Sequence, residues 1–152
     1  MRVLVVEDDD FKFEDIAGLL RDLPFRVVAE RASSVQAGYE AIQGVQFDYI
    51  ILDMALPSHN LVAGTGNPYP EPVGGLEILL ELADQSRSDR VIVLTQYPSI
   101  EFNREYIPLD KFPSIAAQHG ITSIKACILF GLDGAWKELI SKEVVENANT
   151  AH

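Results

Sequence analysis

Met1-Arg-Val-Leu-Val-Val-Glu-Asp-Asp-Asp10 runs from a short apolar, β-branched segment straight into four acids. Continuous apolar runs of this length, with no alternation, are the mark of strands buried on both faces of a parallel sheet. Two later segments repeat the design. Tyr49-Ile-Ile-Leu52 ends in a lone acid, Asp53, followed by Met54-Ala-Leu-Pro57, and Val91-Ile-Val-Leu94 ends in Thr95. In an open parallel sheet the carboxyl ends of the strands share one edge, and ligands bind there. The three runs therefore predict a single site built from acids and a hydroxyl.

Between these runs the periodicity turns helical. Phe13, Ile16, Leu20 and Leu23 recur at helical spacing and Pro24 closes that helix. Phe25–Ala29 reads as the second strand. Ser33-Ser-Val-Gln36 reads as a capping box for a helix carrying Val35, Tyr39 and Ile42, which Gly44 stops. Leu76, Leu79, Leu80 and Ala83 mark a third helix. Ile121–Phe130 contains the fifth strand, and Asp133 caps a last helix with Trp136, Leu139, Ile140 and Val144. Strands alternating with helices predict an α/β fold with right-handed crossovers. One domain is expected over 1–146. Within it, 58–74 is an inserted loop rich in proline and glycine, and 97–119 is irregular with one short helix near Ser114–His119. Residues 147–152 form a polar tail.

The chain has 152 residues, with 23 acidic against 12 basic side chains and a net charge of −11. That balance argues against nucleic acid as a partner, because phosphate contacts need clustered Lys and Arg. The lone Cys127 fits a reducing compartment and reads as a small buried hydrophobe. No leader precedes the first strand and no apolar run has the length of a membrane span, so a cytoplasmic protein is expected.

The acids limit the chemistry. Two like charges about 5 Å apart repel by roughly 3 kcal/mol at an effective dielectric near 20. Carboxylates gathered at one sheet edge therefore hold a proton or a cation. Hard oxygen ligands with open positions suit Mg²⁺, which commonly bridges to a phosphoryl oxygen. A carboxylate beside such an ion can act as a nucleophile and form an aspartyl phosphate. Taken singly, Glu7–Asp10 could decorate a helix start, Asp53 could sit in a turn and Thr95 could end a strand. Their common place at three strand ends is what points to a site.

These residues resemble the receiver domain of bacterial two-component response regulators. The resemblance rests on Val3-Leu-Val-Val-Glu-Asp-Asp9, Asp48-Tyr-Ile-Ile-Leu-Asp-Met-Ala-Leu-Pro57, Gly74-Gly-Leu-Glu77 and Val91-Ile-Val-Leu-Thr95. It implies a flavodoxin-like (CheY-like) five-stranded parallel sheet in the order 2-1-3-4-5, with helices on both faces. It further implies Asp53 as phosphoacceptor. Glu7, Asp8, Asp53 and the backbone carbonyl of Ala55 would hold Mg²⁺, and Thr95 would be the switch hydroxyl. Asp9 and Asp10 fall outside the pair, as helix-start acids. The implied partners are a histidine kinase or phosphotransfer protein and an output protein, with no nucleic acid and no membrane; the oligomeric state stays open, a homodimer included. Such a protein modifies itself with the help of Mg²⁺ and is not an enzyme in the turnover sense.

Four departures from the family pattern stand out. Residues 58–74, with His59 among them, intervene where the family has a short link. Gln96 replaces the usual small residue after the switch Thr. Residues 97–119 are longer and richer in proline. The family also ends its last strand with Lys then Pro, and that ammonium contacts the phosphoryl group. Here Lys125-Ala126 is one alignment, and a strand ending at Phe130 is the other and the favoured one. Two further readings follow. A pseudo-receiver would keep the fold and bind partners without phosphorylation. A Mg²⁺-dependent phosphatase of the haloacid-dehalogenase type would need a later pair of strand-end acids, which nothing after Thr95 supplies.

Overall fold

A computed structural model describes residues 1–57, the backbone of 70–71, and residues 74–148. Its centre is a parallel sheet of β1 (Arg2–Val6), β2 (Val28–Ala32), β3 (Tyr49–Leu52), β6 (Arg90–Thr95) and β9 (Ile124–Leu129), in the order β2-β1-β3-β6-β9. Counted along the chain, these strands run 2-1-3-4-5, the flavodoxin-like arrangement. The remaining strands are outside this sheet. β4 (Leu56–Pro57) pairs with β5 (Pro70–Glu71), and β7 (Ser99–Phe102) pairs with β8 (Glu105–Pro108), both antiparallel. The helices are α1 (Asp10–Arg21), α2 (Val35–Ile42), α3 (Gly74–Asp84), α4 (Phe112–Gln118) and α5 (Ala135–Ala148).

The apolar runs divide their side chains between the two faces. Leu4, Val6, Ile50, Leu52, Val91 and Val93 point to the layer of α2, α3 and α4. Val3, Val5, Tyr49, Ile51, Ile92 and Leu94 point to the layer of α1 and α5, where Ile16, Leu20, Trp136, Ile140 and Val144 close the core. Residues 3 to 6 are fully buried, each aliphatic side chain contributing about 1.5–3 kcal/mol relative to exposure. This two-sided burial is why the central strands read as unbroken apolar runs.

The edge strand differs from its expected position. Phe25–Ala29 was the predicted span, and β2 instead occupies Val28–Ala32, with Arg2 opposite Val28 and Val6 opposite Ala32. Most of β2 is exposed, so apolar content does not mark it. Backbone pairing along all of β1 and the Arg2–Glu30 ion pair at 2.6 Å set its register instead. The capping site of α2 also moves by one: Ser34, not Ser33, accepts from the N–H of Ala37.

Residues 97–119, expected to be irregular apart from one short helix near Ser114–His119, form a β-hairpin as well as that helix, α4. Asn103 and Arg104 occupy the turn with φ of 51° and 66°, the left-handed pair that suits a tight hairpin. Inward-facing Ile100, Phe102 and Ile107 are buried, and Phe102 meets the ring of Phe112 edge-on at 5.8 Å. The inserted loop, His59 included, lies largely outside the described residues. Of the expected polar tail, Asn147 and Ala148 belong to α5, and the rest lies outside them too. Among the described residues no helix is long and apolar enough to cross a membrane.

Candidate metal and phosphoryl site

Two backbone hydrogen bonds carry the sheet ladder one step beyond its strands and fix the acids. The N–H of Glu7 donates to Ala32 O at 2.9 Å, and that of Asp53 donates to Val6 O at 3.1 Å. Carboxylate oxygens of Glu7, Asp8 and Asp53 lie within 4.8 Å of one another. Glu7 and Asp53 are 2% and 7% exposed, whereas Asp8 faces solvent. The group is thus buried on one side and open on the other. It lines a cavity of about 420 Å³ together with Asp9, Lys12, Asp15, Ala55, Gln96 and Phe130.

The acid loop is braced from both flanks. Asp9 is the N-cap of α1 and accepts from the N–H of Lys12 at 2.8 Å, while its own N–H donates to Glu7 Oε1 at 3.1 Å. Asp10 opens the helix and pairs with Arg31 at 2.8 Å. Both residues are therefore helix-start acids, as expected. From the edge strand, Arg31 donates to the carbonyls of Glu7 and Asp8, each at 3.2 Å.

On the Asp53 side, glycine permits a close approach. A Cβ on Gly75 would sit 2.5 Å from the carbonyl oxygen of Asp53 and 2.8 Å from the Met54 Cα, and one on Gly74 would sit 2.8 Å from Leu56 O. Only hydrogen at these positions lets α3 press against the loop that carries Asp53, and Gly75 N–H donates to Met54 O at 2.9 Å. Ala55 lines the cavity, and its N–H donates to Asp53 Oδ1 at 3.3 Å.

Thr95 ends β6 and is 1% exposed. Its hydroxyl accepts from the N–H of Tyr97 at 3.3 Å. It borders an adjoining cavity that shares Ala55 and Tyr97 with the acidic one, without lining the acidic cavity itself. The last strand ends near Phe130, whose N–H donates to Thr95 O at 2.7 Å. Lys125 is the second residue of β9 and is exposed, so the favoured reading of that strand holds. Cys127 is a neutral thiol, its pKa pushed up to about 12 by burial.

One charged residue at the site escaped the sequence reading. Lys12 is buried on the inward stripe of α1 with Ile16 and Leu20. Its ammonium lies 2.8 Å from Glu7 Oε2 and 3.5 Å from Asp53 Oδ2, and donates to Leu94 O at 3.0 Å. The spacing 12, 16, 20 is itself the helical signal that could have revealed it. Burial raises the pKa of Glu7 to about 7, the Asp53 carboxylate adds to this, and Lys12 opposes it. Asp53 is raised by burial as well, against the pull of Lys12 and of the Ala55 N–H. Two acids held above their ordinary range beside an open cavity form a site that lacks positive charge. Three clustered hard oxygen donors with one side open fit a Mg²⁺ ion.

Comparison with known proteins identifies the family and the fold. No protein-family model matches the chain. The Detocs response regulatory protein DtcB of Vibrio alginolyticus is 35% identical over 145 residues, covering 90% of this chain and 94% of the relative. The fold matches the phosphorylated cyanobacterial phytochrome response regulator RcpA with a TM-score of 0.64 at 17% identity, over 99% and 96% of the two chains. It also matches a CheY-like receiver domain protein of Methanospirillum hungatei (TM-score 0.63, 19% identity, 99% and 98% covered). A third match is the Thermotoga maritima response regulator TrrA, solved in complex with Mg²⁺-BeF (TM-score 0.61, 17% identity, 94% and 97% covered). The chain belongs to the response-regulator receiver family of two-component phosphorelays.

Proposed function

We propose that the chain is a phosphoacceptor that takes a phosphoryl group on Asp53 from a phosphohistidine of a kinase or phosphotransfer protein in the cytoplasm. The observation that carries this reading is the convergence of Glu7, Asp8 and Asp53 within 4.8 Å at the mouth of a cavity. Glu7, Asp8, Asp53 and the carbonyl of Ala55 would hold Mg²⁺. When bound, the ion neutralises charge on the transferring phosphoryl group.

The chain's own residues supply the rest. An Asp53 carboxylate oxygen attacks phosphorus as the phosphorus–nitrogen bond to the donor histidine breaks. The electron pair goes to the imidazole nitrogen, and because the other ring nitrogen of the donor already carries a proton, neutral imidazole leaves. The Ala55 N–H orients Asp53 through Oδ1. Thr95 answers the new charge by turning its hydroxyl from the Tyr97 N–H toward the phosphoryl oxygens, and an output protein reads the change. The Vibrio relative is named a response regulatory protein of Detocs, and this chain would serve as the response regulatory member of a system of that kind.

Incubation with Mg²⁺ and phosphoramidate, followed by phosphate-affinity electrophoresis, tests the proposal. Wild type should gain one acid-labile phosphoryl group and Asp53→Asn none. An unmodified wild type that also binds neither Mg²⁺ nor beryllofluoride would sink it. Phe130 at the end of the last strand, where the family places lysine, favours a second reading. In that reading the chain is a pseudo-receiver, whose partner binding survives Asp53→Ala unchanged.

A further inference from the structure

The acidic cavity is lined by five acidic residues, Glu7, Asp8, Asp9, Asp15 and Asp53, and, among the described residues, by a single basic one, Lys12. Transfer to Asp53 exchanges a monoanion for a phosphoryl dianion at this already acidic site. With a divalent ion held by the acids, phosphoryl oxygens beyond its reach would need a donor of their own. Some donor must meet them, since a buried anionic oxygen left unpaired is costly.

The last strand supplies none. Its end carries Phe130, and Lys125 is exposed near its start. The first helix does. Lys12 Nζ is 3.5 Å from Asp53 Oδ2, the carboxylate oxygen not engaged by the Ala55 N–H. It is also held by Glu7 and Leu94 O, and sits 5.3 Å from the centre of the Phe130 ring. Phe130 therefore forms an apolar wall beside the ammonium, a cation–π contact that orients it without consuming a hydrogen-bond donor.

We propose that Lys12, delivered by α1, is the phosphoryl-binding cation of this receiver, taking the place that a lysine at the end of the last strand would otherwise fill. This rests on the phosphoacceptor reading of Asp53. In the transfer described above, the ammonium keeps its proton. It would exchange its contact with Glu7 for one with a phosphoryl oxygen, the Glu7 carboxylate then being free to hold the metal. A purely structural Lys12 would neutralise Glu7 and do nothing more.

The full chain is titrated with Mg²⁺ alone, then with beryllofluoride at saturating Mg²⁺, by calorimetry. Lys12→Gln should keep Mg²⁺ binding, since a competing cation has left the acids. It should bind beryllofluoride roughly ten- to hundredfold more weakly, as expected for loss of one charge-assisted hydrogen bond. Lys12→Arg should recover part of the loss, and Lys125→Gln should match wild type. Equal beryllofluoride affinity in wild type and Lys12→Gln overturns the proposal and leaves the phosphoacceptor reading standing. A wild type that binds no beryllofluoride overturns both.

A measurement on the wild type covers the case in which Lys12→Gln fails to fold. The ¹⁵Nζ resonance of Lys12, assigned by its absence in Lys12→Arg, should move when beryllofluoride is added to the Mg²⁺-saturated protein. No movement beyond that caused by Mg²⁺ alone overturns the proposal.

Discussion

The carboxyl edge of the sheet has two unlike halves. Around β1 and β3, acids stand at the strand ends, their backbones locked by hydrogen bonds to Ala32 and Val6. Around β6 and β9, the edge presents Thr95 turned to Tyr97, exposed Gln96, and Phe130. One half gathers three carboxylates, and the other carries no cation of its own among the described residues; the ammonium beside it, Lys12, comes from α1. A catalytic charge is specified by where it sits in space, and the element that carries it can change.

The most severe test of the acidic half is Asp53→Asn, which should abolish phosphorylation by phosphoramidate in a gel assay while the protein stays folded. Gly75→Ala follows. Its Cβ would meet the Asp53 carbonyl at 2.5 Å, which is backbone and cannot swing away. Urea unfolding should show a loss of about 1–3 kcal/mol, with weaker Mg²⁺ binding as the Asp53 loop is displaced.

The double change Lys12→Gln with Phe130→Lys returns the cation to the other half of the edge. It should restore beryllofluoride affinity by about tenfold over Lys12→Gln alone; no gain would show that the two positions are not equivalent. The pH dependence sharpens the electrostatics. Glu7 titrates near 7 in the folded protein against an ordinary 4.5. The native state therefore holds this proton more tightly, so its stabilising effect is full below the ordinary value and is lost as the pH rises through about 7. Metal requires the carboxylate, so Mg²⁺ affinity should climb by about tenfold per pH unit up to that point and then level off. Calorimetry between mildly acidic and mildly alkaline buffers reads this directly. The smallest effect belongs to Arg31→Ala. Losing the clamps on the Glu7 and Asp8 carbonyls should weaken Mg²⁺ binding by a few-fold, about 1 kcal/mol.

The same division separates what the sequence discloses from what it hides. Glu7, Asp8 and Asp53 are legible because each follows an apolar run that a buried parallel strand requires. Thr95 is legible for the same reason. The edge strand is misplaced because one-sided exposure removes that signature and leaves register to backbone pairing. The hairpin of β7 and β8 is missed because its turn is Asn103-Arg104, without the glycine that usually announces a tight reversal. Lys12 is missed because a charged residue on a helix is ordinarily assigned to solvent. Here the hydrophobic period places it against the core, where two carboxylates and a carbonyl accept its charge. Arg31 acts through backbone atoms of the acid loop, and such contacts leave no trace in side-chain patterns.

Trp136, the sole tryptophan of the chain, is buried with its ring centre 5.0 Å from that of Phe130. Phe130 in turn lies against the Lys12 ammonium. An indole one ring away from the ammonium of the acidic pocket is a built-in optical reporter. Its emission should register the arrival of metal and of phosphoryl group as distinct events, so occupancy of the pocket can be followed in real time on unlabelled protein.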